Sequence, residues 1–188
     1  MKKILTLLLT ATLIFSACGG GKSNVSSEDE PYFYTYKTSE FTIAAPDTWD
    51  TQTAFTSDYP DSLRVAFKNN IKESDFVANV TVIREDNKND FTNFDYSQEK
   101  LDSHSDSLLN FKLLSQEEVK LYVGSSESST YLNTFQGKNT SSGPTLEFMQ
   151  VNLTKGSHAW TVTATYMPEE DDFVIERMDK MLKSFALR

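Results

Sequence analysis

Cysteine and histidine, which often serve in nucleophilic catalysis and proton transfer, are scarce in this 188-residue sequence. Cys18 is the only cysteine, and His104 and His158 are the only histidines. A serine or cysteine nucleophile needs a histidine beside it, and no Gly-x-Ser-x-Gly turn is present. We expect His104 on the solvated face of a helix and His158 at the surface end of a strand. We therefore predict no catalytic residues; an enzyme of unrecognised class is the alternative, and it requires polar side chains that converge in a cleft.

Carboxylates are the next candidates, because their oxygens bind hard cations such as calcium. The four acidic residues Glu169, Glu170, Asp171 and Asp172 follow one another directly. The same run suits the positive N-terminal end of a helix, and we favour that interpretation, although the sequence leaves cation binding there open. The lone cysteine excludes an intramolecular disulfide and the cysteine-rich zinc modules. We predict no metal site and no cofactor.

Aromatic side chains near residue 34 are candidates for recognition. Tyr32, Tyr34 and Tyr36 alternate along the chain there. Tyrosine is favoured at binding surfaces because it combines a large apolar ring with a hydroxyl group. We predict that these three residues contact a partner. The alternative is that some of the aromatic residues pack the sheet while the others cover its edge.

The position of Cys18 suggests a different chemistry for its thiol. Lys2 and Lys3 precede an apolar run of 12 residues, from position 4 to position 15, which is shorter than the ~20 residues that a membrane-spanning helix needs. Ser16 and Ala17 then lead directly to Cys18. This arrangement resembles the lipobox of bacterial lipoproteins, at which the thiol is diacylated, the signal is removed and the new amino group is acylated. We predict a signal peptide at residues 1–17 and lipidation of Cys18; the alternative is an ordinary secretory signal cleaved after Ala17.

Charge also bears on how the protein meets a membrane. The sequence has 18 basic and 27 acidic residues, a formal net charge of −9, which becomes −11 once Lys2 and Lys3 leave with the signal. An acidic chain is a poor ligand for nucleic acid and is repelled by anionic headgroups, so attachment would depend on lipid at Cys18. We expect the bacterial cell envelope: the outer membrane where there are two membranes, because Gly19 is not the aspartate of inner-membrane retention, and otherwise the outer face of the cell membrane.

The chain that would position these groups divides into a flexible Gly/Ser/acidic tether at residues 18–30 and one domain at residues 31–188. Alternating apolar residues predict strands near residues 41–45, 63–67, 76–83, 119–123, 129–136, 146–153 and 158–166, with a hairpin turn at 154–157. Helices are predicted from a capping box at Asp95 to about Asn110, and from Pro168 to about Ser184. We expect a mobile loop at residues 85–93. The class is α+β, with helices on an antiparallel sheet.

Two short motifs carry a resemblance to a known family. An alternating strand runs into Pro46 and Trp49, and the last predicted helix closes with Ser184 and Phe185. With the order of elements, these residues resemble the PsbP-like fold, whose members include the photosystem II extrinsic protein P, a nuclear Ran-binding protein and small bacterial lipoproteins. The likeness spans residues 32–187, although Thr48 replaces a frequent glycine. It implies an α/β/α sandwich around an antiparallel sheet, used for binding or assembly rather than catalysis.

The sequence thus leads to one main functional hypothesis. It is a non-enzymatic, membrane-anchored lipoprotein that binds an envelope protein partner or assists the assembly of a complex. The principal alternative is a carrier of a lipid or another small apolar ligand. A carrier would contain a dry cavity lined by several aromatic side chains, whereas a partner-binding module would have a filled core and exposed apolar side chains.

Overall fold

The computed structural model describes residues 33–70 and 76–188. Cys18 and Tyr32 lie outside the described residues, as do the predicted signal peptide and tether. Within the described part the elements are, in chain order, β1 (Phe33–Lys37), β2 (Phe41–Pro46), β3 (Asp50–Gln52), β4 (Leu63–Lys68), β5 (Asn79–Asp86), α1 (Asn93–Ser107), β6 (Leu109–Val123), β7 (Ser126–Lys138), β8 (Leu146–Lys155), β9 (His158–Tyr166), α2 (Asp172–Lys183) and β10 (Ala186–Leu187).

The strands form one sheet of ten strands in the order β1-β2-β10-β6-β7-β8-β9-β5-β4-β3. Neighbouring strands are antiparallel except β10 and β6, which run parallel. The prediction of a wholly antiparallel sheet is therefore wrong at this pair. The reason is topological: α2 crosses one face of the sheet, and the chain then enters as β10 between β2 and β6.

The sheet curls so that its first and last strands approach each other. The Tyr34 hydroxyl on β1 lies 2.5 Å from the Thr51 hydroxyl on β3. The ring of Tyr36 packs edge-on against Phe67 of β4, with 5.4 Å between the ring centroids. These contacts join strands that stand at opposite ends of the strand order, and they make the sheet a half-barrel.

The main apolar core fills the face of the sheet against which α2 packs. Helix α2 contributes Val174, Met178, Met181 and Leu182, which pack with alternate residues of the sheet. In β8 those residues are Met149, Val151 and Leu153. Because successive side chains of a strand point to opposite faces, Phe148, Gln150 and Asn152 face the other side, where α1 lies.

The two helices therefore lie on opposite faces of a large sheet. With ten strands and two helices in the described residues, the domain is mostly β. The predicted α+β class and the PsbP-like α/β/α sandwich are matched only loosely, because each helical layer is a single helix.

The ends of the helices differ in part from the sequence-based predictions. Helix α1 begins after Thr92, whose hydroxyl accepts from the amide of Asp95 while the Asp95 carboxylate accepts from the amide of Thr92. The capping box is thus Thr92 and Asp95, not Asp95 and Gln98. The helix ends at Ser107 because Leu108 is extended and β6 starts at once. Helix α2 ends at Lys183, with the predicted Ser184 as its C-cap, but it begins at Asp172, four residues after the predicted Pro168.

The polar stretch expected to be a mobile loop is held by hydrogen bonds instead. Residues 85 and 86 belong to β5, and the side chain of Asn87 is buried. Its amide donates to the carbonyl of Phe91 and its carbonyl accepts from the amide of Phe91, each at 3.0 Å. The backbone amide of Asn87 also donates to the carbonyl of Ser157 at 2.8 Å. Polar composition did not distinguish a solvated loop from one folded around a buried asparagine.

Candidate functional site

The predicted recognition residues Tyr34 and Tyr36 differ in their exposure. Tyr36 is half-buried against Phe41 and Phe67, and this burial, with the neighbouring Tyr34, raises its pKa. Tyr34 is 38% exposed, with its hydroxyl bonded to Thr51. Both residues help to close the curl of the sheet, and Tyr34 keeps part of its ring at the surface. Their role as partner contacts stays a prediction.

The last two residues of the acidic run, Asp171 and Asp172, form the start of α2, whereas Glu169 and Glu170 precede its N-cap. Asp171 is the N-cap, and its carboxylate accepts from the amide of Phe173 at 3.0 Å. Asp172 lies in the first turn, where a negative charge interacts favourably with the helix dipole. Over the residues that the structure describes, no group of three or more His, Cys, Asp or Glu is arranged to hold a metal ion.

His104 lies in an environment that the sequence did not predict, whereas His158 lies at the end of a strand with a partly exposed side chain, as expected. His104 is half-buried rather than solvated: its ring stacks on Phe135, with 4.9 Å between centroids, and its Nε2 lies 3.1 Å from Nε2 of Gln150. Burial lowers the pKa of His104, and the positive charge of Lys100 lowers it further. A neutral ring whose Nε2 accepts from the Gln150 amide fits these contacts.

His158, the first residue of β9, belongs to a chain of polar and charged groups. Nη2 of Arg84 lies 2.6 Å from Nε2 of His158, and Nη1 of Arg84 lies 2.7 Å from a carboxylate oxygen of Glu40. Because arginine only donates, Nε2 of His158 is the acceptor and Nδ1 carries the proton. Nδ1 lies 3.7 Å from Oδ1 of Asp86. Trp160 packs against both Arg84 and His158, so these groups brace the end of the sheet.

A buried network of hydrogen bonds connects α1 to the sheet. Ser97 of α1 accepts from the side-chain amides of Asn133 at 3.0 Å and Asn152 at 3.3 Å. Thr161 donates to the carbonyl oxygen of Asn152 at 2.9 Å, and the Gln150 amide donates to Thr163 at 2.9 Å. All of these side chains except Thr163 are buried. Mutual hydrogen bonding satisfies the buried polar groups, so the network fixes the position of α1 on the sheet.

The network continues to ionisable groups at the first turns of α1. Tyr96 donates to Glu85 at 2.7 Å, and the ammonium group of Lys100 lies 2.5 Å from the same carboxylate oxygen. Burial opposes ionisation of Glu85, but the hydrogen bonds from Lys100 and Tyr96 outweigh it, and its pKa is lowered. Burial raises the pKa of Tyr96, and Glu85 raises it further. Both groups therefore hold their ordinary protonation states more firmly, which is the opposite of activation for acid–base catalysis.

Two open clefts flank these groups. One, of about 600 Å³, is lined by charged residues that include Arg64, Arg84, Glu85 and Lys100. The other, of about 820 Å³, follows the outer face of α1 and is lined by Asp95, Glu99, Asp102, Asp106 and neighbouring polar residues with Phe91. Neither cleft is the enclosed aromatic cavity that a carrier of apolar ligands requires.

The surface of β6 is different, because it exposes large apolar side chains. Seven such side chains are exposed in the described residues, and four of them lie on this strand: Leu109 at 47%, Leu113 at 41%, Leu114 at 40% and Tyr122 at 50%. We call these four residues the β6 patch. Only the run at residues 119–123 was predicted as strand, since Leu113 and Leu114 interrupt the alternation. The adjacent leucines, which lie between Lys112 and Ser115, were the signal that the prediction from the sequence missed.

The described residues contain no helix long and apolar enough to cross a membrane. No family model and no curated protein matches the sequence. Comparison with solved structures shows the same fold at low sequence identity. The Pseudomonas aeruginosa protein of unknown function PA94 is 18% identical, with a TM-score of 0.53, over 81% of this chain and 94% of its own.

Two further structures connect the chain with the predicted fold. Cyanobacterial PsbP (CyanoP) from Synechocystis sp. PCC 6803 is 14% identical with a TM-score of 0.52, over 92% of this chain and 99% of its own. A variant of the protein Mog1 is 10% identical with a TM-score of 0.54, over 83% of this chain and 95% of its own. The PsbP-like fold predicted from the sequence is thereby confirmed. At these identities the likeness shows the fold alone.

Proposed function

We propose that this protein is a non-enzymatic lipoprotein of the bacterial cell envelope, anchored by lipid on Cys18, whose PsbP-like domain binds an envelope protein partner. Its location would be the outer membrane where there are two membranes, and otherwise the outer face of the cell membrane. The observation that carries partner binding is the β6 patch: four of the seven large apolar side chains that are exposed in the described residues lie on this one strand.

The ionisable groups support a module without catalytic chemistry. Glu85 accepts a hydrogen bond from Tyr96 at 2.7 Å and pairs with Lys100 at 2.5 Å. The pKa of Tyr96 is raised and that of Glu85 is lowered, so both groups keep their ordinary protonation states. A general acid or base instead has a pKa moved toward the working pH. His104 is half-buried, and the described contacts of its ring are Phe135 and Gln150, neither of which is a nucleophile. We therefore assign these residues to the docking of α1.

The packing of the core favours partner binding over the carrier alternative. Phe41, Phe67, Met178 and Met181 are fully buried and fill the space between α2 and the curled sheet. The two clefts beside α1 are open and lined mainly by polar and charged residues. An apolar ligand would gain little from such walls, because transfer from water is favourable only where apolar surface receives it.

Crosslinking in the native envelope tests the proposal. A photoreactive amino acid at Leu113 should capture one identifiable protein in intact cells, whereas the same group at Tyr59, which is 44% exposed but far from β6 in the sequence, should not. The partner should then bind the purified full chain, and Leu113→Asp should weaken binding at least tenfold with an unchanged Tm. A leucine at the centre of an interface contributes through its burial, and a carboxylate there would be desolvated.

The contrary result is equally specific. Equal capture from both positions would show that the β6 patch has no special role. Capture of no protein at Leu113, together with a small apolar molecule that co-purifies with the chain, would favour the carrier function instead.

A further inference from the structure

Among the residues that the structure describes, the outer edge of β6 has no strand neighbour along most of its length. β7 pairs with β6 from Leu109 to Val123, but on the opposite side β10 pairs only with Tyr122 and Val123. Within residues 33–70 and 76–188, no backbone hydrogen bond is made to that side of residues 110–121. Such an edge presents unpaired N–H and C=O groups that can pair with another extended chain.

The alternating directions of the backbone N–H and C=O groups identify which residues of β6 point them away from β7. The amide of Gly124 donates to the carbonyl of Leu187 on the β10 side, and β10 pairs in parallel with Tyr122 and Val123. A residue of a strand directs its N–H and C=O to one side, and its neighbours direct theirs to the other. The residues whose backbone points away from β7 are therefore Gln116, Glu118 and Lys120. Their neighbours Glu117, Val119 and Leu121 bond to β7.

Irregularities limit the usable part of this edge. The pairing with β7 shifts between Leu109 and Lys112 and again between Leu113 and Ser115, and Asn110 has a φ of 57°. Bulges of this kind bend a strand and interrupt its ladder. The regular part is the seven-residue window from Ser115 to Leu121, which is enough for three outward-pointing residues.

The charges along this window discriminate between possible occupants. Glu117 and Glu118 are exposed, and neither has a salt-bridge partner in the described residues, whereas Lys120 pairs with Glu127 at 3.2 Å. An antiparallel pairing of two copies centred on this window would bring glutamates of one copy opposite or beside those of the other, and like charges in those positions are destabilising. A second copy of the chain is therefore disfavoured, and a basic strand is favoured.

From this geometry we infer that the partner adds an extended, basic segment as a further strand on the free edge of β6 at residues 115–121. Leu113 and Leu114 lie immediately before this window and would contact apolar side chains of the same segment. The inference rests on the proposed function, because it specifies how the partner is recognised. Main-chain hydrogen bonds would supply much of the affinity, and Glu117 and Glu118 would select the charge.

Amide hydrogen exchange of the full chain in detergent gives the first test. In the free protein, the amides of Gln116, Glu118 and Lys120 should exchange rapidly, and those of Glu117, Val119 and Leu121 should be protected. The probe is a ten-residue peptide of alternating lysine and valine, and it should slow exchange at the three outward amides at least tenfold. Protection of those amides in the free protein would overturn the inference, because the edge would already be occupied.

Matched controls separate strand addition from other binding. The same peptide N-methylated on the pairing side keeps its charge but cannot pair, so its affinity should fall at least tenfold. The double variant Glu117→Lys with Glu118→Lys should lose affinity for the lysine peptide at least tenfold and gain it for a glutamate–valine peptide, with an unchanged Tm. Equal binding of the methylated peptide would refute strand addition.

The fate of the inference can be distinguished from that of the proposed function. If the partner captured at Leu113 is displaced by the lysine–valine peptide, both hold. If a partner is captured there but the peptide neither binds nor competes, partner binding stands and strand addition is wrong. If no protein is captured at Leu113, the proposed function is wrong, whether or not the peptide binds.

Discussion

At the scale of single residues, Ser97 shows how α1 is attached to the sheet. Its hydroxyl is fully buried and accepts from two asparagine side chains, one on β7 and one on β8. Serine on a helix with charged and polar neighbours is ordinarily solvated, so nothing in the local sequence distinguished Ser97 from Ser105. The distinction depends on Asn133 and Asn152, which are 36 and 55 positions away.

Substitution of Ser97 tests this network. Ser97→Ala would remove the acceptor for the buried side-chain amide of Asn133. The side-chain NH₂ group of Asn152 would keep only its longer bond to Gln150, at 3.4 Å. We expect a loss of about 1–3 kcal/mol in the free energy of unfolding, measured by urea denaturation. Ser105→Ala is the matched control, because Ser105 is exposed on the same helix and should change stability by less than about 0.5 kcal/mol. Equal effects of the two variants would show that the network does not stabilise the fold.

At the scale of elements, α1 packs with a polar face where α2 packs with an apolar one. The inward residues of α1 include Tyr96, Ser97, Leu101 and His104, whereas α2 buries valine, methionine and leucine. This difference explains why the inner face of α2 was predicted from the sequence while His104 was wrongly expected on the solvated face of α1: apolar periodicity identifies the inner face of a helix only when that face is apolar. The C-terminal end of α1 also depends on Gly137, because a Cβ there would lie 2.8 Å from Cβ of Leu108.

The docking of α1 should depend on pH through His104. Its pKa in the folded protein is lowered by burial and by Lys100, and the groups that face it from the sheet, Gln150 and Phe135, are neutral. Between the folded pKa and the unfolded value of about 6.5, the unfolded chain binds more protons. The free energy of unfolding should therefore fall as pH decreases through that interval.

Urea denaturation from pH 8 to pH 5 measures this dependence. His104→Gln keeps a polar side chain but cannot titrate, so its stability should fall less steeply over that range than that of the unchanged protein. Values at pH 8 provide the baseline for each chain. The lowered pKa of Glu85 acts at lower pH: the stability that its ionised form contributes is lost only as pH falls below about 4.5. Parallel curves of unfolding free energy against pH for the unchanged protein and for His104→Gln would show that His104 does not cause the dependence.

At the scale of the whole molecule, the curl of the sheet and the attachment of the chain are separate features. The curl brings Tyr34 and Tyr36 of β1 to Thr51 and Phe67 at the far end of the strand order. Tyr34 and Tyr36, two of the three tyrosines predicted as recognition residues, thus have a structural contribution whether or not they contact a partner. The proposed attachment depends on Cys18, which lies outside the described residues. The net charge of −9 provides no attraction to an anionic membrane.

Membrane attachment should be lost when Cys18 is replaced. Each buried methylene of an acyl chain contributes about 0.8 kcal/mol to membrane binding. Two or three acyl chains therefore hold a protein firmly, and a protein without acyl chains is not held. Cys18→Ala should therefore move the protein out of the membrane fraction and abolish incorporation of labelled palmitate. Ser16→Ala, which keeps a small residue before the cysteine, should retain both. A Cys18→Ala protein that stays in the membrane fraction would disprove lipid anchoring.

The sequence by itself determined most of the strands, the two helices and the PsbP-like fold. Strand and helix periods are local properties, because the environment of a side chain alternates or rotates with its own neighbours. It did not determine the parallel entry of β10, the buried positions of Ser97 and Asn87, or the stacking of His104. It also did not reveal the open edge of β6. Each of these depends on which distant strand or helix lies beside a residue, and only the tertiary structure decides whether a polar group meets water, another polar group or nothing.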